Sequence, residues 1–220
     1  MVTGRNVISG KILRTLCKVQ RAAGLERPGD EHFPGRQIMT RKETTAFLSD
    51  LLIHKKFGGP GKFWAREVSI DPWVIGKAKR VDFMQFIPEN QCSIGAIEKG
   101  IFVCYEIKSC IEDVYSGNGL NFLGEKNYIV TTMECYKKLI ADMNEGKFWR
   151  HLNEGFPESS SNIGIMVPVP FMKTIEDEFE SPTTLTSETS WELKTIIRCI
   201  PGKRQKSMTE LLFCMLRSGR

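Results

Sequence analysis

The sequence predicts an α/β protein with a central mixed β-sheet flanked by helices. Three observations predict it. Short apolar, β-branched runs recur at 62–70, 79–87, 100–110, 126–132 and 163–170. Helical spacing of apolar residues falls at 40–57 and 133–144, between or before those runs. Glycine and proline clusters punctuate the two kinds of segment, and the resulting order is that of a layered α/β sandwich.

Taken in order, residues 1–38 are the least domain-like part. Ile8, Ile12, Leu16 and Val19 have helical spacing within a basic stretch, and 24–35 is linker chemistry rich in Gly and Pro. This leader reads either as a basic arm for nucleic acid or as a poorly ordered extension. The helix over 40–57 carries Ala46, Phe47 and Leu51, flanked by Leu48 and Leu52, and Gly58-Gly59-Pro60-Gly61 stops it. The first strand follows at 62–70, where Arg66 and Glu67 fall on opposite faces, and Glu67 could assist a site if it faces one. A turn at 72–79 brings Lys77, Lys79 and Arg80 together as a basic group. The second strand, 79–87, holds Asp82 among apolar residues, and 88–99 is a polar connection to the third, 100–110. Gly117, Gly119 and Gly124 disfavour a long helix over 111–125. A strand at 126–132 and an amphipathic helix at 133–144 come next, then a polar, irregular stretch at 147–162 anchored by Phe148 and Trp149. The strand at 163–170 contains Pro168 and Pro170, which places it at a sheet edge or at a strand end. Residues 173–190 read as a surface loop. From 191 a basic segment with Lys203 and Arg204 leads to a helix opened by Ser207 and Glu210, with Leu211, Leu212, Met215 and Leu216 on its apolar side.

Composition bounds the function. The chain has 220 residues, 41% hydrophobic and 26% charged, an ordinary globular balance sufficient for one domain with appendages. It has no apolar run near the roughly 20 residues that span a bilayer, and residues 1–20 are too basic and interrupted for a secretory signal. Seven cysteines, an odd number without Cys-Xaa-Xaa-Cys, read as reduced core thiols, and the expected compartment is cytoplasmic. The three histidines have neither zinc spacing nor a nucleophile beside them. A net charge of +5 suits a polyanion partner.

The chemistry concentrates in the strand at 100–110. Glu106 and Lys108 stand two apart in an apolar run, so both emerge on one side. Buried charge needs a partner or a metal. One reading is a partly buried ion pair. The other joins them to Asp82 on the neighbouring strand: two carboxylates suit Mg²⁺, or Mn²⁺, with room left for phosphate, and the lysine can stabilise charge on a phosphoryl transition state. Glu43 admits two roles as well. It lies one turn before Phe47, and Thr40-Arg-Lys-Glu43 is also a capping-box pattern.

Asp82 on one strand and Glu106-Ile-Lys108 on the next, after a helix bearing Glu43, resemble the PD-(D/E)XK, or restriction-endonuclease-like, nuclease superfamily. The run from Tyr105 to Tyr115, followed by Gly119-Leu-Asn-Phe-Leu-Gly-Glu-Lys-Asn-Tyr, is similar to small phage- or prophage-encoded members. The resemblance spans about residues 40–170, and Val81 stands where the motif's name has proline. It implies a restriction-endonuclease-like sandwich core at 39–172 and a metal-dependent deoxyribonuclease, endo- or exo-acting, possessing a DNA partner. It also implies Asp82, Glu106 and Glu43 as metal ligands, with Lys108 catalytic. Lys77, Lys79, Arg80, Asn121, Lys203 and Arg204 are the candidate nucleic-acid contacts. The alternative is a catalytically silent nucleic-acid- or protein-binding module on the same fold, such as a phage counter-defence protein, and a homodimer is compatible with either.

Overall fold

The structure, a computed structural model, describes residues 39–70, 79–90, 93–157 and 159–218. The expected leader helix, its linker and the expected 72–79 turn as far as residue 78, Lys77 included, lie outside these residues.

A helix, α1 (Arg41–Leu52), comes first and ends in a π-helical turn, Ile53–Phe57. Its inward side centres on Thr44, Leu48 and Leu52, four residues apart, while Ala46 is exposed. The apolar face is thus rotated from the one expected around Ala46, Phe47 and Leu51. Six strands follow in one sheet, ordered as in the sequence: β1 (Phe63–Ile70), β2 (Lys79–Ile87), β3 (Ile101–Lys108), β4 (Lys126–Thr131), β5 (Gly164–Pro170) and β6 (Trp191–Ile197). The β1–β2, β2–β3 and β5–β6 pairs are antiparallel, whereas β3–β4 and β4–β5 are parallel, so the sheet is mixed. The connections carry α2 (Ile94–Glu98), α3 (Ile111–Val114), α4 (Met133–Asn144), α5 (Lys147–Gly155) and α6 (Ile175–Glu180), and the chain closes with α7 (Met208–Arg217).

Three apolar clusters lock these layers together. Helix α1 packs through Leu48 and Leu52 on Phe83, Val103, Tyr105 and Ile107. Leu211, Cys214 and Met215 of α7 cover Met84, Phe86, Phe102 and Cys104. Helices α4 and α5 cover Ile129, Ile165 and Val167. On β3 Val103, Tyr105 and Ile107 thus cluster with α1 and Phe102 and Cys104 with α7, as period-two alternation requires.

Several expectations are corrected. Residues 147–155 form α5 rather than irregular chain: Phe148 and Leu152, one turn apart, are both buried. The segment 173–190 contains α6, opened by a Thr174–Asp177 capping box, and its Glu178 is buried, accepting from Thr183 N (2.7 Å) and Lys173 Nζ (3.1 Å). Trp191–Ile197 is a sixth strand. It makes β5 an interior strand, but β5 pairs with β4 only through Gly164–Met166, so Pro168 and Pro170 lie where no ladder on that side needs their amides. In α7 Leu216 is exposed, and Cys214 takes the inward place expected of it. Cys104, Cys110, Cys135 and Cys199 are free thiols. Among the described residues no helix is long and apolar enough to cross a membrane.

Candidate active site

The site lies where β2 and β3 part company. Their ladder runs from Ile87↔Ile101 to Phe83↔Tyr105 and stops there. Beyond it, the Ile107 amide donates not to a backbone carbonyl but to Asp82 Oδ2, at 2.8 Å. The Arg80 carbonyl likewise accepts from Asn121 Nδ2, at 2.9 Å. Side chains have replaced the ladder, and the opening between the strands gives onto a cleft of about 1500 Å³. Its floor holds Asp82, Glu106 and Lys108. Its walls are Arg41, Thr45 and Ser49 from one edge of α1, Arg66 and Glu67 from β1, and the Gly117–Asn121 loop.

Glu106 is fully buried and Lys108 is 4% exposed, an expensive arrangement to leave unpartnered. Glu106 Oε1 accepts from the Asn121 amide at 3.3 Å, while Oε2 has no hydrogen-bond partner among the described residues. Lys108 Nζ donates to the Asn118 carbonyl at 2.7 Å. Gly119 explains why the loop can come this close. It has φ +74°, and a Cβ there would stand 2.8 Å from both Glu106 Oε2 and Lys108 Nζ. The end of β3 is fixed from behind by Thr131 Oγ1, which donates to the Lys108 carbonyl at 2.5 Å. Next to it, Ser109 donates through N and Oγ to Asp113 Oδ2, and Arg41 reaches Asp113 Oδ1 at 3.3 Å.

Electrostatically the floor favours protonated carboxyls. Burial pushes the Glu106 carboxyl well above its usual range, the nearby Asp82 carboxylate pushes the same way, and Lys108 opposes both only in part. Burial also raises Asp82, against the Ile107 amide and the positive charges of Lys108 and Arg80. Their mutual influence raises Glu106 and lowers Asp82, which favours the proton on Glu106.

The remaining candidates distribute as follows. Glu43 stays outside the cleft: its carboxylate accepts from Thr40 N (2.7 Å) and Thr40 Oγ1 (2.8 Å), which completes a capping box. The rotated phase of α1 puts Thr44 inward and Glu43 in solvent, so the structure does not bring Glu43 to the acids as a metal ligand or catalytic group. Asn121 is committed to holding Glu106 and Arg80 in place rather than offered to a nucleic acid. Lys79 and Arg80 line the cleft. Arg204 does not: it pairs with Glu125 Oε1 at 3.1 Å and donates to the Gly100 carbonyl, at the opposite end of β3 from Lys108. Lys203 is exposed in that same tail, away from the cleft lining. Sequence reasoning missed the role of Gly119, of the Asn118 carbonyl and of Ser109. The Gly117-Asn118-Gly119 triplet does mark a tight loop in the sequence, and the resemblance implies its place beside the site, but it is the Asn118 carbonyl rather than a backbone amide that the loop presents to Lys108.

Among the described residues no group of three or more His, Cys, Asp and Glu is gathered for a metal. What the floor offers is two carboxylates with an uncommitted buried oxygen, a donor set that fits Mg²⁺, an ion that takes one or two protein carboxylates and fills its other positions with water and phosphate. Comparison with family models, curated proteins and solved structures finds no match to the chain.

Proposed function

We propose that the chain is a metal-dependent nuclease of restriction-endonuclease-like architecture that hydrolyses DNA phosphodiester bonds in this cleft. The observation that carries the reading is the buried Glu106 carboxyl beside Asp82, with an oxygen left without a partner among the described residues on the floor of a basic-walled groove. A structural ion pair would bring Lys108 onto that oxygen. Instead Lys108 is tied to the Asn118 carbonyl.

Asp82 and Glu106 would hold Mg²⁺, or Mn²⁺ in its place. Bound there, the ion would polarise the phosphodiester and lower the pKa of a water at its open positions. Glu106 must give up its proton to receive the cation, and the raised affinity for that proton keeps the site neutral until then. Lys108, fixed through Nζ and shielded from solvent, neutralises charge that develops on the phosphoryl oxygens. Gly119 and Asn118 exclude water on one side, and the Asn121 amide orients Glu106.

The test uses purified protein, labelled DNA and Mg²⁺. Cleavage that is absent in EDTA and is reduced at least about a hundredfold in Asp82→Ala and Lys108→Ala, with DNA binding retained, is the expected result. Binding with no cleavage under Mg²⁺ or Mn²⁺ would leave a silent binding module on the same fold.

A further inference from the structure

Strand β1 carries a backbone irregularity that the machinery above does not require. Glu67 has φ +53°, a left-handed conformation that a residue with a Cβ keeps only when its surroundings enforce it. The β1–β2 pairing runs through Arg66↔Phe83 and resumes at Val68↔Val81, so Glu67 and Asp82, which face one another, both stand outside it. Arg66 and Glu67 are in consequence both exposed and both on the cleft wall, where regular alternation would have sent them to opposite faces.

The Glu67 carboxylate meets Arg80, with Oε2 2.7 Å from Nε. Arg80 precedes Asp82 by two residues on β2, so an arginine there has an evident second partner in Asp82, whose carboxyl already feels its charge. Pairing with Asp82 would quench one of the two acids on the floor. Glu67 engages Arg80 at Nε, and no other hydrogen bond or ion pair is formed by its side chain among the described residues. A guanidinium gripped at Nε keeps its terminal edge free for a planar, two-oxygen acceptor such as a phosphodiester. Below the side chain, Asn121 Nδ2 holds the Arg80 carbonyl. The pair is 61% and 54% exposed, so it adds little to stability, and stability alone does not account for a left-handed residue in a strand.

We propose that Arg80 anchors a phosphate of the bound nucleic acid and that Glu67 is its positioning residue, holding the guanidinium off Asp82 with its open edge toward the substrate. The inference rests on the nucleic-acid reading above and deepens it. The opposite role for Glu67, an anion that repels the substrate, makes the opposite prediction.

The experiment is anisotropy of a fluorescein-labelled DNA duplex with the full chain in EDTA, across a salt series. Arg80→Ala weakens binding about tenfold and lowers the salt slope by about 1, and Arg80→Lys restores only part because a point charge lacks the fork. Glu67→Gln weakens binding in the same direction, and so does Glu67→Gly, which fits the left-handed backbone and guards against misfolding. In the Arg80→Ala background neither Glu67 change has further effect, a non-additivity that a repelling anion or a structural residue would not give. Tighter binding by Glu67→Gln, or an Arg80→Ala variant with unchanged Kd and salt slope, overturns the proposal. A chain that binds through Arg80 yet cleaves nothing with Mg²⁺ ends the nuclease reading and supports this one.

Discussion

At the scale of single residues, the site is built from groups that would destabilise any other location. Gly119 is the clearest. Gly119→Ala places a methyl 2.8 Å from Glu106 Oε2 and Lys108 Nζ in a left-handed backbone, and is expected to reduce stability by about 1–3 kcal/mol. It should abolish cleavage even where urea titration shows the variant folded. Glu106 gives a pH signature. Its folded-state pKa lies well above the unfolded value, so its contribution to stability is complete below about pH 4.5 and is lost as pH rises through the folded pKa. Glu106→Gln removes a carboxyl that is costly to ionise in place, so the variant should be more stable than the parent at pH 8, by about 1 kcal/mol or more, and indistinguishable from it near pH 4. Thermal unfolding at the two pH values checks this. A Glu106→Gln variant less stable at pH 8 would mean that Glu106 is ionised and well compensated in the resting site.

At the scale of elements, what the sequence carried well were the strands and helices whose patterns come from burial. Residues 79–87 and 133–144 have the bounds that periodicity and breakers predict, and charges inside apolar runs singled out Asp82, Glu106 and Lys108. The helical phase of α1 was not legible, because Ala46, Phe47, Leu48, Leu51 and Leu52 supply two overlapping apolar stripes and only packing against Phe83 and Tyr105 selects one. Strand β6 shows Trp191 and Leu193 two apart and both buried, yet Glu192, Lys194 and its neighbourhood of Ser and Thr disguised it. The left-handed Glu67 has no signature at all, since no glycine or asparagine marks the position. The phase of α1 also decides a testable point. Thr40→Ala removes the N-cap and should lower stability by about 1 kcal/mol, Glu43→Ala should shift the melt in the same direction, and neither should alter cleavage below the melting transition. Cleavage lost in a folded Glu43→Ala protein would return Glu43 to the candidate metal ligands.

At the scale of the whole molecule, the sheet has two unlike ends. The end where β3 and β4 finish is open, floored by acids and walled by Arg41, Lys42, Arg66, Lys79 and Arg80. The end where β3 begins is closed by the tail. Glu125 accepts from the Phe102 amide at 2.8 Å through one oxygen and pairs with Arg204 through the other, and Gln205 N donates to the Leu123 carbonyl. The basic tail therefore acts as a strap over the start of β3, with the Arg204 charge answering Glu125 rather than a phosphate. Two arginines, one at each end of the sheet, should then separate cleanly by what they affect. Arg204→Ala leaves the largely buried Glu125 without its cation, and is expected to lower stability by about 1–3 kcal/mol while DNA affinity and its salt slope stay unchanged. Arg80→Ala, drawn from an exposed pair, should leave the melting temperature within experimental error and weaken DNA binding. Both are read on one set of preparations, by thermal unfolding and by anisotropy at several salt concentrations. An Arg204→Ala protein that keeps its stability but loses affinity for DNA would put the tail in the binding surface and make the duplex span both ends of the sheet.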